Sequence, residues 1–434
     1  MDTTTNSPLF ISRLFQPLTK ALASASHSHD CVYTDEAFLK GGVLRVISPV
    51  SSGRDFVQQF KHLFYIGLTV NAFFSALRSK RRLNLCSEVA DAVLKEADLH
   101  LAKADPFAVH PELNSFAIYA TDGHTHKASS HEDPIASIKR PVTHIYGLNL
   151  RTHTAKAITL CTPQIGKKKE HEISTLKRIK ASSLRMNQPK GTKVIHAYDP
   201  AIVDYAFWNH LKQTKGVYIL TLEKKNSALS VQGELPIEQE DPRNVGVISD
   251  EFVGPAHGGL LRRVVYCDPV TGKIYTFLTN EFTLPPGLLA FIYKSRWDVE
   301  KLYDVFKNKL SEKRAWGKSD EAKMNQAHFI AMTHNLMKII EHDLREEEGV
   351  EDQMASKRRM KRAKEDAKIS KAAGREPNPM VHSWQRATQM SLQVIRCFRH
   401  SLWNQVNWRD TVIALRPLTS NYLACCHNTV PLDF

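Results

Sequence analysis

The cysteines offer no basis for a disulfide or zinc framework. The chain of 434 residues holds seven of them, Cys31, Cys86, Cys161, Cys267, Cys397, Cys425 and Cys426, spread out except for the last pair. No CxxC occurs and the count is odd, which points to a reducing compartment. Long apolar runs are also missing. The most apolar stretch, FYIGLTVNAFFSAL at 64–77, is interrupted by Asn71 and falls short of the ~20 residues a bilayer requires. It reads as a buried helix, and no membrane partner is expected. The opening MDTTTNSPLFISRLF has no charged segment followed by a long apolar run, so no secretory leader is expected either. No internal repeat is visible.

What the chain does have is positive charge. Lys and Arg number 59 against 45 Asp and Glu, a formal net charge of +14, on a background that is 42 % hydrophobic and 24 % charged. That is a soluble globular composition with the electrostatic footprint of a polyanion binder, most simply nucleic acid. Two basic runs stand out, RSKRR at 78–82 and SKRRMKRAK at 356–364. RSKRR suits either phosphate contact or a solvated helix end.

Hydrophobic periodicity divides the chain. Residues 1–105 read as helices, with Ser51 or Ser52 and then Ser87 as candidate caps. Over 106–343 strands alternate with helices: NSFAIYATDG, VTHIYGLNLRTHTAKAITLC, GTKVIHAYD and GVYILTLEKK are strands, and PAIVDYAFWNHLKQ is a helix opened by Pro200. This pattern predicts an α/β domain with a mixed sheet. Residues 224–282 read as a β-rich insertion, with DPVTGK as a hairpin turn. A charged helix or linker (344–379) follows, and a C-terminal helical region (380–434) regains Trp384, Val394, Phe398, Trp403 and Trp408.

The chemistry concentrates in 285–310, read as one helix. Val299, Leu302, Phe306 and Leu310 fall on a core face. Tyr293, Arg296, Glu300, Asp304 and Lys307 share the neighbouring stripe. Taken alone, that stripe is most simply a salt-bridge ladder on a solvated face. Asp122 and Asp199 change the balance, because each closes a predicted strand at the edge where open α/β sheets place ligands. An acid in that place is also a common helix cap, and Asp199 precedes Pro200. Three carboxylates can hold two hard divalent ions, Mg²⁺ or Mn²⁺, for phosphoryl transfer. Asp204 is a weaker second acid, since it falls within the predicted helix. Asp298, Lys301 and Asp304 keep the structural explanation. His124, His126, His131, His144 and His153 follow no zinc spacing, although His124 stands two residues from Asp122.

The spacing Tyr293-x2-Arg296-x3-Glu300-x6-Lys307, after Asp122 and Asp199, resembles the Y-R-E-K signature of cut-and-paste insertion-sequence transposases of the DDE type. The likeness covers roughly residues 110–340. It implies a ribonuclease-H-like catalytic core with a β-rich insertion between the second and third acids. Asp122, Asp199 and Glu300 would hold two Mg²⁺ ions, with Mn²⁺ as a substitute. Tyr293, Arg296 and Lys307 would contact phosphates of transposon-end DNA. Trp297 would lie near distorted DNA, although core packing is its simpler expectation. The resemblance further implies terminal inverted repeats and target DNA as partners, a homodimer on DNA, DNA binding by the N-terminal region, a C-terminal region able to dimerise, and a bacterial cytoplasmic setting at the nucleoid. The competing readings are an inactive transposase-like DNA-binding protein and another nuclease on the same fold.

Overall fold

The computed structural model describes residues 10–25, 33–48, 52–64, 69–134, 139–162, 170–254, 259–310, 313–348, 350–351, 353–374, 390–404, 406–407, 410–411 and 424–425. Five helices lead: α1 (Phe10–Ser24), α2 (Asp35–Ile47), α3 (Gly53–Phe64), α4 (Val70–Leu77) and α5 (Lys80–Leu101). Side-chain caps set several of their starts. Ser52 Oγ accepts from Asp55 N, and Thr69 Oγ1 accepts from Ala72 N. Ser79, not Ser87, caps α5 by accepting from Arg82 N. Ser87 lies inside that helix, since the apolar face continues unbroken through Leu85, Cys86, Val89 and Val93. Of the apolar stretch at 64–77, Phe64 ends α3 and Val70–Leu77 forms α4 with Thr69 as its cap; residues 65–68 lie outside the described part.

A nine-stranded mixed sheet follows: β1 (Phe116–His126), β2 (Val142–Asn149), β3 (Ala155–Cys161), β4 (Lys193–Ala197), β5 (Val217–Leu222), β6 (Ser230–Glu234), β7 (Val247–Gly254), β8 (Leu261–Cys267) and β9 (Ile274–Thr279). Its spatial order is β3-β2-β1-β4-β5-β9-β8-β7-β6. Strands β1, β4 and β5 run parallel, while β2 and β3 add antiparallel on one side. This arrangement is compatible with a ribonuclease-H-like core. Strands β6–β9 extend the same sheet from β5, each pairing antiparallel to its neighbour. The DPVTGK turn joins β8 to β9, with Asp268 Oδ1 accepting from Val270 N and Thr271 N and with Gly272 in the left-handed region.

Both faces of the parallel strands β1, β4 and β5 are covered, as buried parallel strands require. One face packs α6 (Glu172–Arg178) and α7 (Tyr205–Lys215) around Trp208, Leu211 and Ile219. Gly216, at φ +61°, ends α7 in a left-handed C-terminal cap and turns the chain into β5. The other face shares its core with the N-terminal helices, with α8 (Pro286–Ser295) and α9 (Asp298–Asp304), and with the long α10 (Asp320–Glu348). Polar clamps fix α10. Asn335 pairs with both backbone groups of Ala155 on β3, and Asn325 donates to Leu77 O at the end of α4. Helix α11 (Gln353–Ala372) carries the second basic run. Helix α12 (Met390–Asn404) buries Val394 and Phe398, and Arg399 donates to Ile47 O of α2. Trp384 and Trp408 lie outside the described residues, as does the side chain of Trp403.

Candidate active site

The site forms where β1 outruns its parallel neighbour. Asp122 does not end its strand as the sequence suggests. β1 continues to His126 because antiparallel β2 stays paired with it as far as His126 and Val142. β4 stops at Ala197, opposite Ala120. Counting two residues onward on each strand places Asp122 beside Asp199, on the same face of the sheet by strand alternation. Asp199 caps no helix. The helix predicted from Pro200 starts at Tyr205 instead, with Asp204 as its cap, accepting from Phe207 N and from Lys177 Nζ. Asp199 Oδ1 closes a local turn by accepting from Ala201 N at 2.8 Å.

The predicted single helix over 285–310 is three pieces. α8 ends at Ser295, Arg296 and Trp297 make a tight turn, α9 follows, and Val305–Lys309 forms a π-helical turn. Arg296 and Trp297 keep right-handed helical angles, and the bonds Val299 N→Arg296 O and Glu300 N→Trp297 O span three residues instead of four. The segment therefore turns tightly at the residues nearest the acids while its apolar face stays buried. Val299, Leu302, Phe306 and Leu310 are 0–3 % exposed.

Charged groups converge on this turn. The Arg296 guanidinium is buried, 3.4 Å from Glu300 Oε1, and lies over the Tyr293 ring at 5.4 Å. Tyr293 is buried and feels the charges of Arg296, Asp199 and Glu300; burial raises its phenol to about 12. Burial also pushes the Asp122 carboxyl up to about 6. A hydrogen bond from Gly123 N and the Arg296 charge oppose that shift, whereas Glu172 and Asp199 add to it. Tyr303 on α9 donates to the Asp122 carbonyl at 2.6 Å and locks the helix against β1. The structure therefore brings Asp122, Asp199, Glu300, Arg296 and Tyr293 into one electrostatic neighbourhood. One oxygen from each of the three acids does not fall within 4.8 Å of the others. The donors are hard carboxylate oxygens, and Asp122 carries the energetic mark of neighbouring negative charge, so the set fits divalent Mg²⁺ or Mn²⁺.

Other expectations fare differently. Lys307 is exposed on the π turn, and Trp297 is 51 % exposed, so core packing does not explain that ring. Asp298 is buried; burial works against its ionisation, but His153 and Lys301 at 3.4 and 3.2 Å hold its carboxyl below the usual range. It is a structural ion pair, as expected. In RSKRR, Arg81 grips Asp35 with two bonds of 2.7 Å, and Arg82 is buried over the rings of Tyr33 and Phe38. These two arginines brace α5 against α2, while Arg78 and Lys80 stay exposed at the adjoining helix ends, as the solvated reading of the cluster has it. His124, His126 and His144 stack in a buried row, and the His124 ring lies 4.9 Å from Tyr303. They form no three-ligand group among the described residues.

Glu172 carries no motif that marks it in the sequence. It reaches so close to Gly123 that a Cβ there would sit 2.4 Å from its Oε1. The glycine leaves that room beside Asp122, and a larger residue would push the Glu172 carboxylate aside. Tyr303 also carried no signal, because a hydrogen bond to a distant backbone carbonyl leaves no pattern along the chain.

Residues 122–336 match the family model for the transposase DDE domain. The match opens on Asp122 and takes in Asp199, Glu300 and the whole of the turn between α8 and α9. The protein named "Putative transposase y4zB" from Sinorhizobium fredii (strain NBRC 101917 / NGR234) is 27 % identical over 150 residues, covering 33 % of this chain. The chain spans 42 % of that relative's length. Both likenesses support a DDE-type transposase, a family that generally uses divalent metal ions and acts on DNA. No helix among the described residues is long and apolar enough to cross a membrane.

Proposed function

We propose that the chain is a transposase with a ribonuclease-H-like catalytic core, which cuts DNA at the ends of a mobile element and joins those ends to target DNA. The observation that carries this reading is the gathering of Asp122 on β1, Asp199 two residues past the end of β4, and the helix-borne Glu300 about buried Arg296. Asp122, Asp199 and Glu300 would hold two Mg²⁺ ions, with Mn²⁺ as a substitute, and the bound metal would supply activation of the attacking oxygen and charge neutralisation at the leaving oxygen.

The chain's own residues do the rest. Tyr303 and the packed face of α9 keep Glu300 in register with Asp122. Arg296 leaves its loose contact with Glu300 to grip a phosphate on either side of the scissile bond, and Tyr293 supports that guanidinium from beneath. Exposed Lys307 extends the cationic edge along the DNA backbone. Trp297, projecting from the turn, stacks on a base displaced at the cut. In the first step water attacks the phosphorus at the element end and a 3′-hydroxyl leaves. That hydroxyl then attacks the opposite strand to form a hairpin, and after the hairpin opens it attacks target DNA. Each step is an in-line exchange of one phosphodiester oxygen for another, so one carboxylate set serves all of them.

Around this core, residues 1–105 and 380–434 supply end recognition and pairing of two protomers, in a bacterial cytoplasm at the nucleoid. The β-rich strands of 224–282 flank the DNA path. The test uses Glu300→Gln with inverted-repeat DNA and Mg²⁺. The variant should bind ends like the parent and produce no nick. Normal cutting by this variant would remove Glu300 from the site, and equal cutting of DNA without the inverted repeats would indicate a general nuclease.

A further inference from the structure

We propose that His100, His342 and Asp343 form a site for a zinc-class divalent ion that staples the N-terminal helices to the catalytic core. His100 lies in the last turn of α5, and His342 and Asp343 lie near the end of α10. One ligating atom from each falls within 4.8 Å of the other two. His100 Nε2 stands 2.6 Å from Asp343 Oδ1, His342 Nδ1 stands 3.8 Å from the same oxygen, and the two rings meet edge to face at 5.0 Å.

An ion pair accounts for His100 and Asp343 alone. It leaves His342 Nδ1 buried, without a hydrogen-bond partner, and aimed at a carboxylate oxygen too far away to accept. A bound cation uses all three atoms. Ligand atoms held at ~2.0–2.1 Å around a tetrahedral ion stand ~3.4 Å apart. The observed separations of 2.6 and 3.8 Å lie on either side of that value, so small side-chain rotations suffice and the helices need not move. Two imidazoles and one carboxylate are borderline donors that favour Zn²⁺ over the Mg²⁺ suited to the acid site. Ala97, Leu101 and Ile339 make an apolar floor between the same two helices. The His100 side chain is 39 % exposed, which leaves an open side for the ion and a fourth position for water.

The test titrates Zn²⁺ alone into metal-stripped full-length protein, followed by calorimetry and thermal melting. Wild type, His342→Ala and Asp122→Asn are compared, the last to subtract any zinc taken by the acid site. The zinc at the histidine site should bind in both wild type and Asp122→Asn and raise Tm in both, and any additional zinc seen in wild type should be absent from Asp122→Asn. His342→Ala should melt like wild type in chelator, bind zinc roughly 10-fold or more weakly, and lose the Tm rise. If His342→Ala is unfolded in chelator, His100→Gln at the exposed ligand is used in its place with the same expectations. Equal zinc affinity in wild type and the histidine variant, or no zinc-dependent Tm rise in wild type, overturns the proposal.

Discussion

Arg262 and Arg296 are both nearly buried, at 3 % and 7 % exposure, and both face carboxylates, yet they are held in opposite ways. Arg262, on β8, makes two bonds to Asp250 at 2.8 and 2.5 Å and a third to Leu284 O at 2.7 Å, with Glu281 at 3.8 Å. Arg296 has a 3.4 Å contact with Glu300, and its Nε finds no hydrogen-bond partner. A buried guanidinium with its donors satisfied belongs to the scaffold. One left under-bonded beside half-exposed acids suits an anion that arrives later. The difference separates the extended end of the sheet, which is built for rigidity, from the β1–β4 end, which keeps its charges available.

That contrast predicts a graded series. The largest stability loss belongs to Arg262→Ala, which strands Asp250 and Glu281 as buried charges; about 3–5 kcal/mol should vanish in urea unfolding. Arg296→Ala should cost less than about 1 kcal/mol in the same assay, because its partner Glu300 is solvated. It should instead weaken binding to element ends and lower the salt dependence by about one phosphate contact. Equal destabilisation by the two substitutions would erase the distinction.

Asp122→Asn gives a smaller effect, read through pH. The Asp122 carboxyl is raised in the folded chain to about 6, so the folded state holds this proton more tightly than the unfolded chain does. The stability it contributes is present below the unfolded value of about 4 and is lost as pH rises through about 6. In chelator, Asp122→Asn should flatten the decline of Tm between these limits; an unchanged slope would show that the carboxyl is not crowded. Smallest of all is Trp297→Ala. Its stability should stay within about 0.5 kcal/mol of wild type, while affinity for ends carrying an unpaired base falls and affinity for intact duplex does not. A core-like destabilisation would count against the exposed placement.

Much of the framework around the candidate site was legible in the chain, because periodicity and strand ends are local properties. The apolar stripe Val299, Leu302, Phe306 and Leu310 had to be buried wherever the helix landed. Asp122 and Asp199 follow apolar runs that could only be strands. The cap at Ser79 and the start of α7 at Tyr205 were misplaced, since competing hydroxyls and acids a few residues apart offer the same capping chemistry. The tight turn at Arg296–Trp297 was invisible because both residues keep helical angles.

The sequence by itself determined the mixed α/β class, the basic character and the residue types needed for carboxylate-based phosphoryl transfer, all of which follow from composition and spacing. Tertiary structure alone decided which charges stay available. Arg81 and Arg82 were consumed by Asp35 and the aromatic rings across a helix interface, Asp298 was consumed by His153 and Lys301, and Arg262 by Asp250. Arg296 was left with little, and Glu172 arrived beside Asp122 through the space at Gly123. Charge is written along the chain, but its pairing depends on distances set only when separate elements pack.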